Sequence, residues 1–336
     1  MKSFLIFAFC FIFSFLTLGC GTPSFLITPV SSSQSLHEEV VEEGKGFGSG
    51  KIVIIEIEGM LANMRDGGFL QAGENKLSLF AQQLEKAEND DSVKAIVLRI
   101  NSPGGTVTTS DTMYQMVKKF KQNSKKPVIA STQEVCASGA YYVACACDQI
   151  MAHPTSVVGS IGVIFSNFDM ADGLGKLGIQ SRSIHTGTLK EMGSPFKHET
   201  ALEKSVMAEM VNEYYVRFSK VVKESRPNVK ENPPAPPANE PADYAGIFSG
   251  RVWTGTRAVE LGLADKNGTL SDALALAREL SKSPAARAVL YKRPYGYTGS
   301  IYAANNTPQP QVNVLQFKVP GADSLITTGF YYLWQP

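Results

Sequence analysis

The amino-acid sequence predicts an α/β fold in which helices flank a mostly parallel sheet. Two observations support this prediction. Residues 94–100 form a near-continuous apolar run (KAIVLRI), which is typical of a strand buried on both faces of a sheet. Strand-like and helix-like runs also alternate from residue 51 to residue 185, an order that favours parallel strands joined by crossover helices.

The first half of the chain carries this alternation. Residues 51–57 (KIVIIEI) are rich in β-branched side chains, as strands are, and residues 76–89 place apolar side chains at helical spacing. The remaining predicted elements are, in order, strand 94–100, helix 109–121, strand 127–132, helix 140–147, strand 148–152, an extended stretch at 155–165, helix 170–177 and strand 180–185.

The second half is more helical and ends without a periodic pattern. Residues 199–226 form a long predicted helix, and residues 227–246 are a surface loop rich in proline, alanine and asparagine. Helices are predicted over residues 254–261 and 271–280. The folded domain is therefore expected to span residues 51–285, followed by an extended tail at residues 286–336.

The composition is that of an ordinary globular protein with a sizeable core. The chain has 336 residues, of which 43% are hydrophobic and 19% are charged. Its net charge is +1, so the charge gives no indication of a nucleic-acid partner.

The N-terminus has the pattern of an export signal. Lys2 precedes an uncharged apolar or weakly polar run at residues 4–18, which is shorter than the roughly 20 residues that span a bilayer. The run ends at Gly19-Cys20, which resembles a bacterial lipoprotein signal with Cys20 as the lipidated residue. A cleaved signal and an uncleaved anchor are the alternatives, and all three place the body of the protein outside the cytoplasm. Residues 1–20 are then the signal or anchor.

Residues 21–50 are predicted to be a flexible tether between this N-terminus and the folded domain. They are rich in serine, then in glutamate, then in glycine. Such a composition cannot bury enough apolar surface to fold alone.

The candidate catalytic residue is Ser138, in the stretch CASGAYYVA at residues 136–144. A predicted strand leads into it and a predicted helix leads out, and the small neighbours Ala137 and Gly139 leave its hydroxyl uncovered. The first amides of a helix are unpaired donors that bind developing negative charge. Serine is also a favoured helix N-cap, so a purely structural cap is the alternative.

A second glycine-rich turn could complete an oxyanion hole. The stretch NSPGG at residues 101–105 follows a buried strand and precedes a helix. The backbone amide of Gly105, or alternatively of Gly104, could converge with that of Gly139 on one oxygen. A tight turn without catalytic function is the alternative.

Four motifs in order resemble the signal peptide peptidase (protease IV) family. They are NSPGG at 101–105, ASGAYYVA at 137–144, GSIGVIF at 159–165 and SGRVWTGTRAVELGLAD at 249–265. The resemblance covers roughly residues 50–285. It implies a serine peptidase of the Clp protease/crotonase fold with a Ser/Lys dyad.

The resemblance also implies roles for particular residues. Ser138 is the nucleophile, Lys190 is the general base and Ser160 orients Lys190. The oxyanion donors are Gly139 and the NSPGG glycine. A hydrophobic substrate pocket is expected to include Ile161 and Val163.

The same resemblance implies a membrane-associated endopeptidase that degrades remnant signal peptides and other hydrophobic peptides. It implies homo-oligomeric rings, in which Lys190 could act on a neighbouring subunit. No cofactor and no metal are expected. A lysine can act as a base only when neutral, so burial must lower its pKa from about 10.4 to about 7–8.

Other residues and other functions compete with this interpretation. The chain has four histidines, and His185 is the best competing base. Cys136 is the competing nucleophile, although it precedes the turn, and the cysteines around Ser138 are otherwise expected to be buried thiols. The competing functions are a crotonase-like acyl-transfer enzyme, which export disfavours, and a non-catalytic scaffold or binding lipoprotein. The apolar run at residues 330–334 (FYYLW) is suited to docking in the peptidase's own groove.

Overall fold

A nine-stranded sheet lies at the centre of the fold in the computed structural model, which describes residues 35–44, 50–64, 74–231, 246–293 and 329–335. The predicted signal at residues 1–20, with Cys20, lies outside the described residues. Seven strands form a continuous path, in the order β1 (His37–Glu42), β11 (Arg287–Lys292), β2 (Lys51–Glu58), β3 (Val93–Ser102), β5 (Val128–Ala137), β6 (Gln149–Ala152) and β10 (Lys266–Asn267).

The carboxyl end of β5 changes partner. Strand β7 (Val157–Gly159) pairs with the last residues of β5, and β9 (Val252–Thr254) pairs with β7. All pairings in the sheet are parallel except β1 with β11 and β7 with β9. The predicted α/β fold with a mostly parallel sheet is therefore confirmed.

Seven helices are present in the described part of the chain. They are α1 (Lys76–Glu88), α2 (Val107–Ser124), α3 (Gly139–Ala144), α4 (Ala171–Lys176), α5 (Ala201–Ser225), α6 (Gly255–Glu260) and α7 (Leu270–Leu280). Polar side chains fix where several of them begin. Thr200 and Thr269 each form a capping box with the acidic residue three positions later, which satisfies two otherwise unpaired amides.

Two layers of apolar side chains cover the two faces of the sheet. Ile52 and Ile54 of β2 face α7, whereas Val53 and Ile55 face the layer that contains α1, α2, α3 and α5. This alternation follows from the two-residue period of a strand. Because both faces are covered, β3 is buried at eight of its ten positions, in agreement with the buried strand that its sequence predicted.

A second, smaller sheet lies beside the carboxyl ends of the main strands. It has the order β4 (Gly104–Thr106), β12 (Gly329–Leu333) and β8 (Ile164–Ser166), and both pairings are antiparallel. The middle strand comes from the C-terminal tail.

Three predictions about the elements need correction. The predicted strand 180–185 does not form, and Ile184 in it is fully exposed, because no layer covers its apolar residues. The predicted tether is too long, since residues 37–42 form the edge strand β1. The predicted tail begins too early, since residues 287–292 pair in parallel with β2 as β11.

Among the described residues, the helices are too short or too polar to cross a membrane.

Candidate active site

Ser138 occupies a strained turn between β5 and α3. Its backbone has φ 51° and ψ −116°, a region that side chains other than glycine's rarely adopt. Its amide donates to the carbonyl oxygen of Gly159 at 2.7 Å, and its own carbonyl accepts from the amide of Tyr142 at 2.9 Å. The hydroxyl makes no capping hydrogen bond. The helix-cap alternative is therefore wrong, and the turn resembles the strained strand-to-helix turns that present nucleophilic serines.

The backbone of β4 presents one amide towards this turn. Leu61 lies on one side of β4, where its amide donates to the Gly104 carbonyl and its carbonyl accepts from the Thr106 amide, both at 2.8 Å. Since successive peptide groups of a strand point to opposite sides, the amide of Gly105 points away from Leu61. The amide of Gly104 is already used, because it donates to Ser102 Oγ at 3.1 Å. This arrangement favours Gly105 over Gly104 as an oxyanion donor.

The amides of Gly105 and Gly139 lie close together. A Cβ atom placed on Gly139 would lie 3.2 Å from the Gly105 nitrogen, and one placed on Gly104 would lie 2.6 Å from the Gly139 nitrogen. Gly104 has φ +101°, and Gly139 has no room for a side chain because its Cβ would meet Ser110 Oγ at 2.2 Å. The Gly139 amide at the start of α3 and the Gly105 amide of β4 thus frame one position beside Ser138.

Ser160 lies next to Ser138 at the ends of paired strands. The register of β5 with β7 places Ala137 opposite Gly159, so the two serines follow a matched pair of residues. Ser160 also has a positive φ of 53°, and its amide donates to the Arg251 carbonyl at 2.8 Å. The structure therefore brings the predicted nucleophile and the predicted orienting serine together.

A cavity of about 460 Å³ opens at Ser160. Val163 lines it, as do residues of β8, α5, the segment before β9, and the C-terminal residues Leu333 and Trp334. Ile161 instead is fully buried in the core. Of the two predicted pocket residues, the structure places only Val163 at this cavity wall.

Lys190 lies on an exposed excursion between β8 and α5. This excursion, residues 167–198, is called the arm, and it contains no buried residue. Lys190 itself is exposed, and within the described part of the chain its ammonium group has no hydrogen-bond or ion-pair partner. A single chain thus holds Ser138 and Ser160 together without bonding Lys190 to either of them.

The competing candidates are engaged elsewhere. His185 also lies on the arm, where Nδ1 is 3.1 Å from the Gly187 carbonyl oxygen and Nε2 is 3.4 Å from Glu191. Cys136 is fully buried, and burial raises the pKa of its thiol well above the ordinary value, so the reactive thiolate is disfavoured. Cys145 and Cys147 are buried free thiols as well, in agreement with the expected structural role.

Comparison with known proteins gives the family. The sequence profile of Peptidase family S49 matches residues 120–283, and that of Clp protease matches residues 65–158. A protein of Enterococcus faecium named signal peptide peptidase SppA is 32% identical over 279 residues, which cover 83% of this chain and 77% of that protein. The chain belongs to peptidase family S49. It is a serine peptidase.

Other relatives with protease names agree with this assignment. A protein of Methanocaldococcus jannaschii named as a protease is 36% identical over 220 residues, covering 65% of this chain and 66% of that protein. The chloroplastic serine protease SPPA of Arabidopsis thaliana is 32% identical over 238 residues, 67% of this chain but only 33% of that longer protein. The recognition made from four sequence motifs is confirmed, and the competing scaffold and acyl-transfer functions receive no support.

Sequence reasoning missed the residues that complete the surroundings of the site. The Ser102 hydroxyl accepts a hydrogen bond from the Gly104 amide and donates one to the Gly59 carbonyl at 2.6 Å. These two hydrogen bonds anchor the NSPGG turn. Tyr332 brings its carbonyl oxygen next to Gly104 and Gly139. The aromatic run at 330–334 was the available signal for Tyr332, whereas nothing in the sequence separates Ser102 from an ordinary turn serine.

Proposed function

We propose that this S49 peptidase cleaves hydrophobic peptides through a dyad of Ser138 and Lys190. The observation that carries the proposal is the strained Ser138 turn beside the converging amides of Gly105 and Gly139. Ser138 Oγ attacks the substrate carbonyl carbon as its proton passes to the neutral Lys190 amine. The carbonyl oxygen becomes an oxyanion that accepts hydrogen bonds from the two amides, each contributing about 3 kcal/mol.

The breakdown of the intermediate uses the same groups. The protonated Lys190 donates its proton to the leaving amine, so the peptide bond breaks and an acyl enzyme remains on Ser138. A water molecule then attacks the ester, again with Lys190 as the base. The Ser160 hydroxyl accepts a hydrogen bond from Lys190 when the lysine is protonated and donates one when it is neutral. This contact holds the Lys190 amine towards Ser138.

We propose further that Lys190 comes from a neighbouring subunit. An exposed lysine keeps its proton near neutral pH, so a basic Lys190 requires burial. The arm that carries it exposes six large apolar side chains: Phe168, Met170, Leu177, Ile179, Ile184 and Phe196. Packing this surface against the Ser160 cavity of another copy would bury both the apolar side chains and Lys190. We propose that the rotation between neighbours closes, so that repeating this contact gives a ring.

The substrates and location that fit this arrangement are hydrophobic. Remnant signal peptides are apolar segments that accumulate at membranes after export. The sequence pattern at residues 1–20, with Cys20 as a lipidation site, would hold the enzyme on the extracytoplasmic side of a membrane where such peptides occur. A membrane-bound ring with inward-facing sites suits such peptides.

The test is hydrolysis of a fluorogenic hydrophobic peptide by the full chain. We expect Ser138→Ala and Lys190→Met to lose at least about a thousandfold in kcat/KM while keeping the wild-type circular dichroism spectrum. His185→Gln, which removes the competing base from the same arm, should stay within about threefold of wild type. If Lys190→Met kept most of its activity and His185→Gln lost it, the dyad would be wrong and His185 would be the base.

A further inference from the structure

Arg251 lies directly beside the turn that carries Ser160. Its carbonyl oxygen accepts the hydrogen bond from the Ser160 amide at 2.8 Å, and the amide of Gly250, the residue before it, donates to the Ile161 carbonyl at 3.2 Å. The next residue begins β9, which pairs antiparallel with β7, the strand that precedes Ser160. The backbone around Arg251 is therefore bonded to the chain at Ser160 itself and on both sides of it.

The guanidinium group of Arg251 is held near this turn by an aromatic ring. Its central carbon lies 4.2 Å from the ring centroid of Trp253, which is a cation–π contact. Trp253 is buried and borders Gly159, the residue before Ser160, because a Cβ placed on that glycine would lie 3.1 Å from the indole Cδ1. A planar guanidinium stacked on a buried ring loses much of its freedom to move. Arg251 thus brings a positive charge of fixed position into the neighbourhood of Ser160.

The wall of the cavity that opens at Ser160 is otherwise uncharged. None of the described residues that line this cavity is acidic or basic. The titratable side chain among them is that of Tyr215, whose hydroxyl donates to the Phe248 carbonyl at 3.0 Å. In the adjoining groove along α5, Glu199 and Lys204 carry opposite charges. An amine that enters the cavity at Ser160 therefore meets no carboxylate on the described part of its wall.

These charges decide the protonation state of an amine that lies at Ser160. A neighbouring positive charge favours the neutral form of an amine, as removal from water does. In a partly solvated site, a unit charge at roughly 10 Å changes the pKa of an amine by about one unit. On the arm itself, Glu191 follows Lys190 and lies 3.4 Å from His185 Nε2. The Glu191 carboxylate favours the protonated lysine, and the guanidinium of Arg251 acts against it from the other side of the site.

We propose that Arg251 is a positioning residue that keeps Lys190 in its neutral, basic form. This inference rests on the proposed function, because it requires Lys190 to act as the base at the Ser160 cavity. The carbonyl group of Arg251 fixes the Ser160 turn, and its guanidinium, held on Trp253, disfavours a protonated amine there. The neutral amine of Lys190 is then available to accept the proton of Ser138 Oγ.

The pH dependence of kcat/KM for peptide hydrolysis by the full chain tests this role. Arg251→Met and Arg251→Gln both remove the charge and keep an unbranched side chain. We expect the acidic limb of the profile to move about one unit to higher pH, so that kcat/KM falls about tenfold on the acidic side and returns to the wild-type value at the alkaline plateau. A loss of the same size at every pH, without movement of the limb, would overturn the inference, because a side chain that only supports the fold gives that result.

Two further variants separate the local charge from packing and from net charge. Arg251→Lys restores a positive charge at this position, so its acidic limb should return towards that of the wild type. Arg257→Gln removes an exposed arginine of α6 that pairs with Glu260 at 2.5 Å, and it should leave the profile unchanged. A limb displaced in Arg251→Lys as far as in Arg251→Met, or displaced equally in Arg257→Gln, would overturn the inference.

The same profiles distinguish this inference from the proposed function. Hydrolysis that is lost in Lys190→Met, together with an unmoved limb in both charge-removing variants of Arg251, would overturn the role of Arg251 and leave the dyad standing. Hydrolysis that does not depend on Lys190 would overturn both.

Discussion

Ser138 and Ser160 are adjacent because Ala137 and Gly159, the residues before them, are register partners in parallel strands. Both serines have positive φ angles, 51° and 53°, at the carboxyl ends of their strands. The Ser138 amide donates a hydrogen bond to the Gly159 carbonyl, and the Ser160 amide donates one to the Arg251 carbonyl. A strained backbone that is fixed in this way at two neighbouring serines indicates a preorganised site.

The first prediction concerns Ser160 as a positioning residue. If Ser160 orients Lys190 as proposed, Ser160→Ala removes that contact, and kcat/KM should fall about 10- to 100-fold. The acidic limb of the pH–rate profile should also move to higher pH, because the lysine loses a partner that stabilises its neutral form. The measurement is the pH dependence of kcat/KM for wild type and variant.

The control for Ser160 is another buried serine. Ser156 is 1% exposed and its hydroxyl has no hydrogen-bond partner within the described part of the chain. Ser156→Ala should leave the pH profile unchanged. An equal loss of kcat/KM in both variants, with unshifted pH profiles, would show that Ser160 contributes only to packing.

The second prediction concerns the glycine that admits a carbonyl group to the oxyanion position. A methyl group on Gly104 would lie 2.1 Å from the Tyr332 carbonyl oxygen and 2.6 Å from the Gly139 nitrogen. Gly104→Ala should therefore lower kcat/KM for peptides at least about 100-fold. The measurement is steady-state hydrolysis, with thermal unfolding to follow stability.

A matched glycine separates this blockage from backbone strain. Gly178 has φ +72° and open space around its missing Cβ. Gly178→Ala should cost about 1 kcal/mol of local stability and leave kcat/KM within a few-fold of wild type. Similar activity losses in the two variants would show that backbone strain, and not the blocked oxyanion position, explains the loss in Gly104→Ala.

The third prediction concerns the thiols around Ser138. Cys136, Cys145 and Cys147 are buried, and burial raises the pKa of all three, to about 12 for Cys147. Iodoacetamide at neutral pH should therefore leave them unmodified in the folded chain and modify them after denaturation. Cys136→Ala should retain activity. Rapid labelling of Cys136 with loss of hydrolysis would contradict both the burial of Cys136 and the assignment of Ser138 as the nucleophile.

The fourth prediction concerns the pH dependence of the arm. His198 at its end contacts Asp169 at its start at 2.8 Å, and the hydrogen bond with Asp169 raises the pKa of His198. A raised pKa means that the pair's stabilisation is present below about pH 6.5 and is lost as pH rises through the folded value. Hydrogen exchange at the Met170 amide, which donates to the Pro195 carbonyl across the base of the arm, should then accelerate at higher pH beyond the intrinsic rate.

The matched variant for this prediction is His198→Asn. Its exchange at Met170, corrected for the intrinsic rate, should be independent of pH between about 5.5 and 8.5. The same pH dependence in the variant would show that another group controls the base of the arm.

Local patterns explain which elements the sequence predicted well. Strand β3 and the Ser138 turn were recognisable because each is indicated by a local pattern, an apolar run or a run of small residues, within about ten residues. Strand 180–185 was predicted wrongly for the complementary reason. Its residues have strand-like character, but no neighbouring layer buries Ile184.

The relationships between distant segments could not be read from the chain. The pairing of β5 with β7 places Ser160 beside Ser138, and only the parallel register reveals it. In the same way, β11 and β12 join sheets whose other strands lie far away in sequence. The aromatic run at 330–334 suggested docking, but not that it would form the middle strand of the smaller sheet.

Mixing two inactive variants tests the central claim, a site completed by the neighbour's lysine, most directly. Ser138→Ala retains Lys190, and Lys190→Met retains Ser138. The two chains are dissociated, combined in equal amounts and reassembled before peptide hydrolysis is measured. If Lys190 acts on a neighbouring subunit, activity should return to about a quarter of the wild-type value, since random assembly restores that share of sites. No recovery, in oligomers shown to contain both variants, would contradict the shared active site.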